Sequence, residues 1–89
     1  MHPLEQIDDA IATYNRYRSP MATADFVEST DEGFRVRFHG PFCTTCCRDD
    51  YFEDLVYELA EFGVDPAHVR VAAIEQTGLE RFEVEYAVE

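Results

Sequence analysis

Phe34-Arg35-Val36-Arg37-Phe38 and, in the other half of the chain, Phe82-Glu83-Val84-Glu85-Tyr86 are one pattern written twice with opposite charge. Each alternates apolar and charged residues with period two, as a strand does when one face is buried and the other is wet. Set side by side as antiparallel neighbours, they place Arg35 and Arg37 across from Glu83 and Glu85 on a common face. Opposite charges across a ladder are favourable, and like charges directly opposite are penalised. The pairing of these two stretches is therefore the expectation around which the remaining elements are arranged.

Working outward, Thr23-Ala24-Asp25-Phe26-Val27-Glu28-Ser29-Thr30 reads as a strand joined to Phe34–Phe38 through Asp31-Glu32-Gly33, with Gly33 taken as the residue free to adopt positive φ. Val69-Arg70-Val71-Ala72-Ala73-Ile74-Glu75 pairs in the same way with Arg81–Val88 across a turn marked by Gly78. The N-terminal segment is helical. Pro3 suits a first helical turn, Leu4, Ile7, Ile11 and Tyr14 recur at three- and four-residue spacings, and Pro20 ends the run. A second apolar stripe, Tyr51, Phe52, Leu55, Val56, Leu59 and Phe62, defines a helix stopped by Gly63, with Asp50 and Glu53 as a capping pair.

The element order is α-β-β-α-β-β. If the two alternating stretches are central neighbours, the sheet order is 1-2-4-3 and the second helix crosses over one strand, in the right-handed sense. The expectation is an α+β two-layer sandwich, a single domain over residues 1–89. It has a four-stranded antiparallel sheet with both helices on one face. This arrangement resembles a circularly permuted ferredoxin-like split β-α-β sandwich.

The 89 residues carry 19 Asp and Glu against 7 basic residues, for a formal net charge of −12, and every basic residue is Arg. With 46% hydrophobic residues the chain has the material for a core and is not a disordered polyanion. Self-repulsion on this scale opposes the compact state in dilute buffer. At molar salt the Debye length falls to about 3 Å and the repulsion is screened. The composition resembles that of proteins from salt-loving archaea, whose cytoplasm holds molar potassium chloride. The charge lowers the expectation of a nucleic-acid partner, because phosphate binding needs clustered cations. No apolar run approaches the roughly 20 residues of a membrane-spanning helix, and the N-terminus lacks the pattern of a signal peptide. A cytoplasmic location is expected, where thiols are kept reduced.

All three cysteines fall in Gly40-Pro41-Phe42-Cys43-Thr44-Thr45-Cys46-Cys47, between the second strand and the second helix. Extending the helix backward at 100° per residue puts Cys47 at the border of the apolar stripe and Cys46 nearly opposite it. Cys43 and Cys46 then form an exposed C-x-x-C. Three readings stand open. The thiols pack as small apolar groups beneath the helix start. Alternatively, Cys43, Cys46 and Cys47 with His39 hold zinc, although a second cysteine pair or downstream histidine pair is missing. In the third reading the chain is a thiol/disulfide redox protein with Cys43 as nucleophile and Cys46 as resolving thiol, a role the acids Asp49 and Asp50 oppose. No phosphate-cradling glycine loop and no serine nucleophile elbow is present, and Glu83 with Glu85 lacks the partners of a catalytic carboxylate pair.

The open sheet face is expected to carry Arg35, Arg37, Arg70, Glu83 and Glu85, joined by Val27, Ala72 and Ile74. A mixed surface of this kind suits a protein partner or a homodimer in which Arg of one chain meets Glu of the other. The leading functional expectation is a non-enzymatic interaction domain, with zinc at the cysteines as a possible cofactor. The composition also generates a test: cooperative structure measured by circular dichroism should be lost as potassium chloride falls from molar to millimolar. A chain that keeps full stability in dilute buffer contradicts the salt-adapted reading.

Overall fold

The computed structural model describes residues 4–41 and 48–88. The chain runs α1 (Leu4–Arg18), β1 (Thr23–Ser29), β2 (Gly33–His39), α2 (Arg48–Glu61), a single 3-10 turn at Pro66–His68, β3 (Val69–Gly78) and β4 (Arg81–Val88). The described strands form one four-stranded sheet in the order β1-β2-β4-β3, with every neighbouring pair antiparallel. β2 and β3 thus run parallel with β4 between them, the split β-α-β arrangement expected from the two alternating stretches.

The central pairing has the register set by the charges. Arg35 lies opposite Glu85, Arg37 opposite Glu83, and the apolar pairs are Phe34–Tyr86, Val36–Val84 and Phe38–Phe82. Those six apolar side chains are all buried on the face that receives the helices. From α1 the face receives Ile7, Ala10, Ile11 and Tyr14; from α2 it receives Phe52, Leu55, Val56 and Leu59. Ring contacts run through this layer: Tyr14 meets Phe38 edge-on at 5.6 Å, Phe38 meets Phe52 at 5.0 Å, Phe52 meets Phe82 at 5.6 Å, and Phe34 stacks on Tyr86 at 5.0 Å. Offset and edge-on pairs of this kind add about 0.5–1.5 kcal/mol each beyond the area they bury.

Two tyrosines also tie α2 to the rest of the core through their hydroxyls. Tyr14 donates to the carbonyl of Tyr51 at 2.8 Å and Tyr86 to the carbonyl of Phe52 at 2.6 Å, both in the first turns of α2. Burial pushes both phenols well above their ordinary pKa, so they stay protonated and remain donors. One turn further along α1, Arg18 bridges to Asp54 at 3.3 Å and Glu58 at 2.8 Å on α2 while its guanidinium lies over the Tyr14 ring. Burial alone would lower the Arg18 pKa; the hydrogen bond it donates to Glu58 and the charge of Asp54 outweigh it and raise it. Sequence reasoning places Arg18 at the negative end of the α1 dipole, but its main structural partner is the second helix.

Three local expectations are corrected. Gly33 is not in the positive-φ region, which among the described glycines is taken by Gly40 and Gly63. Its smallness serves a close approach instead, because a Cβ there would collide with the carbonyl oxygen of Tyr86 on β4. Asp50 is not a capping residue, since α2 is already helical at Arg48. Pro3, the expected start of α1, lies outside the described residues. The third correction concerns β3, which continues to Gly78 so that only Leu79 and Glu80 separate it from β4. Its register shifts between Val71 and Ala73 and again between Gln76 and Gly78.

The close approach at Gly33 predicts that Gly33→Ala forces β2 and β4 apart and costs about 1–3 kcal/mol. At Gly78 an added Cβ meets nothing nearer than the Arg81 Cβ at 3.5 Å, so Gly78→Ala should be near neutral. Denaturant unfolding of both variants in molar potassium chloride checks the contrast.

Candidate functional site

The face of the sheet away from the helices is organised by β2. Arg35 is held on both sides, by Glu28 of β1 at 2.9 Å and by a hydrogen-bonded ion pair to Glu85 of β4. Arg37 pairs with Glu83 at 3.4 Å, and His39 with Asp25 of β1 at 3.1 Å. The hydrogen bond to Glu85, with the neighbouring acids, raises the Arg35 pKa. At Arg35 and Arg37 acidic, basic and acidic residues thus lie side by side across β1, β2 and β4, and both arginines of β2 are matched by carboxylates. Exposed pairs of this kind contribute about 0–1 kcal/mol each, so their value lies in register and orientation more than in stability.

At β3 the pattern changes. Val71 lies opposite Tyr86 and Ile74 opposite Val84, three residues apart on β3 but two apart on β4. Ala72 and Ala73 therefore share one ladder position, a β-bulge. The alternation inverts across it. Arg70 lies opposite Ala87, Ala73 opposite Glu85 and Glu75 opposite Glu83, all on the open face, whereas Ile74 and Gln76 lie over the helix side. Ile74 does not join the open face as expected; the extra residue turns it to the other side. Glu75 facing Glu83 is an unfavourable pair of like charges.

On the helix side the sheet extends past its cover. Ala72–Gly78 are exposed throughout, while β1 at the opposite edge has Ala24 bonded through both its N–H and its carbonyl to the side chain of Asn15. Between α2 and β3 lies a groove of about 350 Å³ lined by Phe52, Val56 and Tyr57 of α2, Pro66, and Val69, Val71 and Ile74 of β3, together with the charged residues Glu53 and Arg70. Tyr57 is 62% exposed and Ile74 44% exposed, large apolar side chains at the groove mouth. Tyr57 carries no sign of this role in the sequence beyond its position between stripe residues Val56 and Leu59.

Of the residues expected to hold zinc, Cys43, Cys46 and Cys47 lie outside the described residues. His39 ends β2, as expected, and its ring nitrogen faces Asp25 while its ladder partner on β4 is Arg81, a cation that would oppose a metal ion beside it. His68 lies in the 3-10 turn, 3.8 Å from Asp65. Among the described residues, no group of three or more His, Cys, Asp and Glu side chains is placed to hold a metal ion. Also among them, no helix is long and apolar enough to cross a membrane. Compared with protein-family models, curated proteins and solved structures, the chain has no match.

The helical phase read from the cysteine stretch yields a direct measurement. Under native high-salt conditions an alkylating reagent should label Cys43 and Cys46 well before Cys47, as read by mass spectrometry. Equal labelling, or fastest labelling at Cys47, removes the assignment of Cys43 and Cys46 as the exposed pair.

Proposed function

We propose that the chain is a non-enzymatic protein-interaction domain of a salt-adapted cytoplasm, and that its contact surface is the β3 edge with the adjoining groove. The observation that carries this reading is the run of exposed residues Ala72–Gly78 beside a largely apolar groove whose mouth is Tyr57 and Ile74. An exposed strand edge offers unpaired main-chain groups to a further strand, and an apolar groove alongside it offers pockets for alternate side chains. The ion-paired open face supplies no comparable vacancy, since its β2 cations are matched within the chain. A net charge of −12 disfavours nucleic acid as the partner.

Site-specific photo-crosslinking in the expressing cell tests this. A benzoylphenylalanine placed at Ile74 should give discrete protein adducts, and the same group at the exposed Ala12 of α1 should give none. Equal adduct formation at both positions, or none at either, overturns the reading.

A further inference from the structure

The interaction reading leaves the partner open, and the sequence of β3 specifies one. We infer that the β3 edge pairs with β3 of a second copy, antiparallel about a two-fold axis that passes between the Ala72-Ala73 units, so that two four-stranded sheets join into one. This inference rests on the β3 edge being the contact surface.

The argument begins with the bulge. A two-fold pair of antiparallel strands keeps each residue and its partner on the same face of the sheet. In an unbroken strand this allows only pairs separated by an even number of residues. In β3 the bulge at Ala72 inverts the alternation between Val71 and Ala73. Residues before it then match the face of residues after it at odd separations. Pairing about the bulge sets Arg70 against Glu75 of the second copy, both on the open face. It sets Val71 against Ile74 of the second copy, both on the helix side, and Val69 against Gln76. By symmetry each pair occurs twice.

Three features of the strand agree with this register. Arg70 and Glu75 are opposite charges at positions that meet across the axis, the cross-strand arrangement that also unites β2 and β4. The second copy's Arg70 also comes to Glu75, which within its own chain lies opposite the like charge of Glu83. Ile74, 44% exposed, and Val71, partly buried against the core, meet at the mouth of the groove beside Tyr57. At the axis itself stand alanines, whose small side chains crowd neither face of the joined sheet. The remaining ladder would extend from Val69 to Gln76 on each chain. The charge of −12 on each copy opposes association in dilute buffer, and molar salt screens it, whereas ion pairs at contact distance survive screening better than charges farther apart.

Sedimentation equilibrium in molar potassium chloride over a wide concentration range tests the pairing. The chain of 10.3 kDa should move to about twice that mass as concentration rises. Arg70→Glu and Glu75→Arg should each weaken the dimer about threefold to tenfold, and the double exchange Arg70→Glu/Glu75→Arg should recover most of the loss. Ile74→Asp should leave a monomer. Circular dichroism of each variant establishes that it folds, and the recovery in the double variant cannot come from an unfolded single one. A wild-type chain that stays monomeric at all concentrations overturns the inference. In that case Ile74 crosslinks to a different protein preserve the interaction reading, and their absence removes it as well. A dimer indifferent to all three substitutions also overturns the inference, because its contact lies on another surface.

Discussion

The pairing of β2 with β4 is the constraint on which the rest depends. It brings together strands from the two halves of the chain, and it sets both faces of the sheet at once. On one side it aligns Phe34, Val36 and Phe38 with Tyr86, Val84 and Phe82; on the other it aligns Arg35 and Arg37 with Glu85 and Glu83. A slip of one residue would carry every aromatic ring to the wet face and every charge to the helices. The charges select the register, and burial of the apolar face supplies the free energy. Exposed ion pairs are weak, while truncating one buried aromatic ring costs about 3–5 kcal/mol.

The helices are held to this centre by directed contacts as well as by packing. Asn15 satisfies Ala24 on the β1 edge, the hydroxyls of Tyr14 and Tyr86 reach the first turns of α2, and Arg18 joins the two helices through Asp54 and Glu58. All of these act on the β1, β2 and β4 side of the molecule. Cover thins toward β3, where α2 reaches Val69 and Val71 and stops short of the following residues. The same asymmetry that leaves β1 shielded leaves β3 open. The proposed contact surface therefore follows from where two helices of this length can lie on four strands, with no specialised insertion required.

The Ala72 bulge links the fold to its proposed use. In a regular strand Ile74 would have faced the open, charged side and the groove would have lost its apolar rim. The additional residue moves Ile74 to the helix side and leaves Glu75 opposite Glu83. Arg37 of β2 already offsets Glu83 within the chain, and in the proposed dimer the second copy's Arg70 would offset Glu75 as well.

What the sequence by itself determined is the central architecture. Period-two alternation in Phe34–Phe38 and Phe82–Tyr86, opposite charge at matched positions, and the helical spacing of Ile7, Ile11, Tyr14 and of Phe52, Leu55, Leu59 sufficed for the element order and for the strand order 1-2-4-3. These are signals written in residue type and local spacing, which a chain carries before it folds. What the tertiary structure alone decided is where that regularity breaks. The bulge in Val71-Ala72-Ala73-Ile74 has no signature, because two alanines fit either face equally and the extra residue is defined only against β4. The groove between α2 and β3, the collision that requires Gly33, and the reach of Arg18 to α2 likewise depend on distances between elements remote in the chain. The cysteine stretch shows the same limit from the other side: spacing identifies Cys43 and Cys46 as a chemically dense pair, and only the three-dimensional surroundings of a thiol can make it a ligand, a nucleophile or a packed side chain.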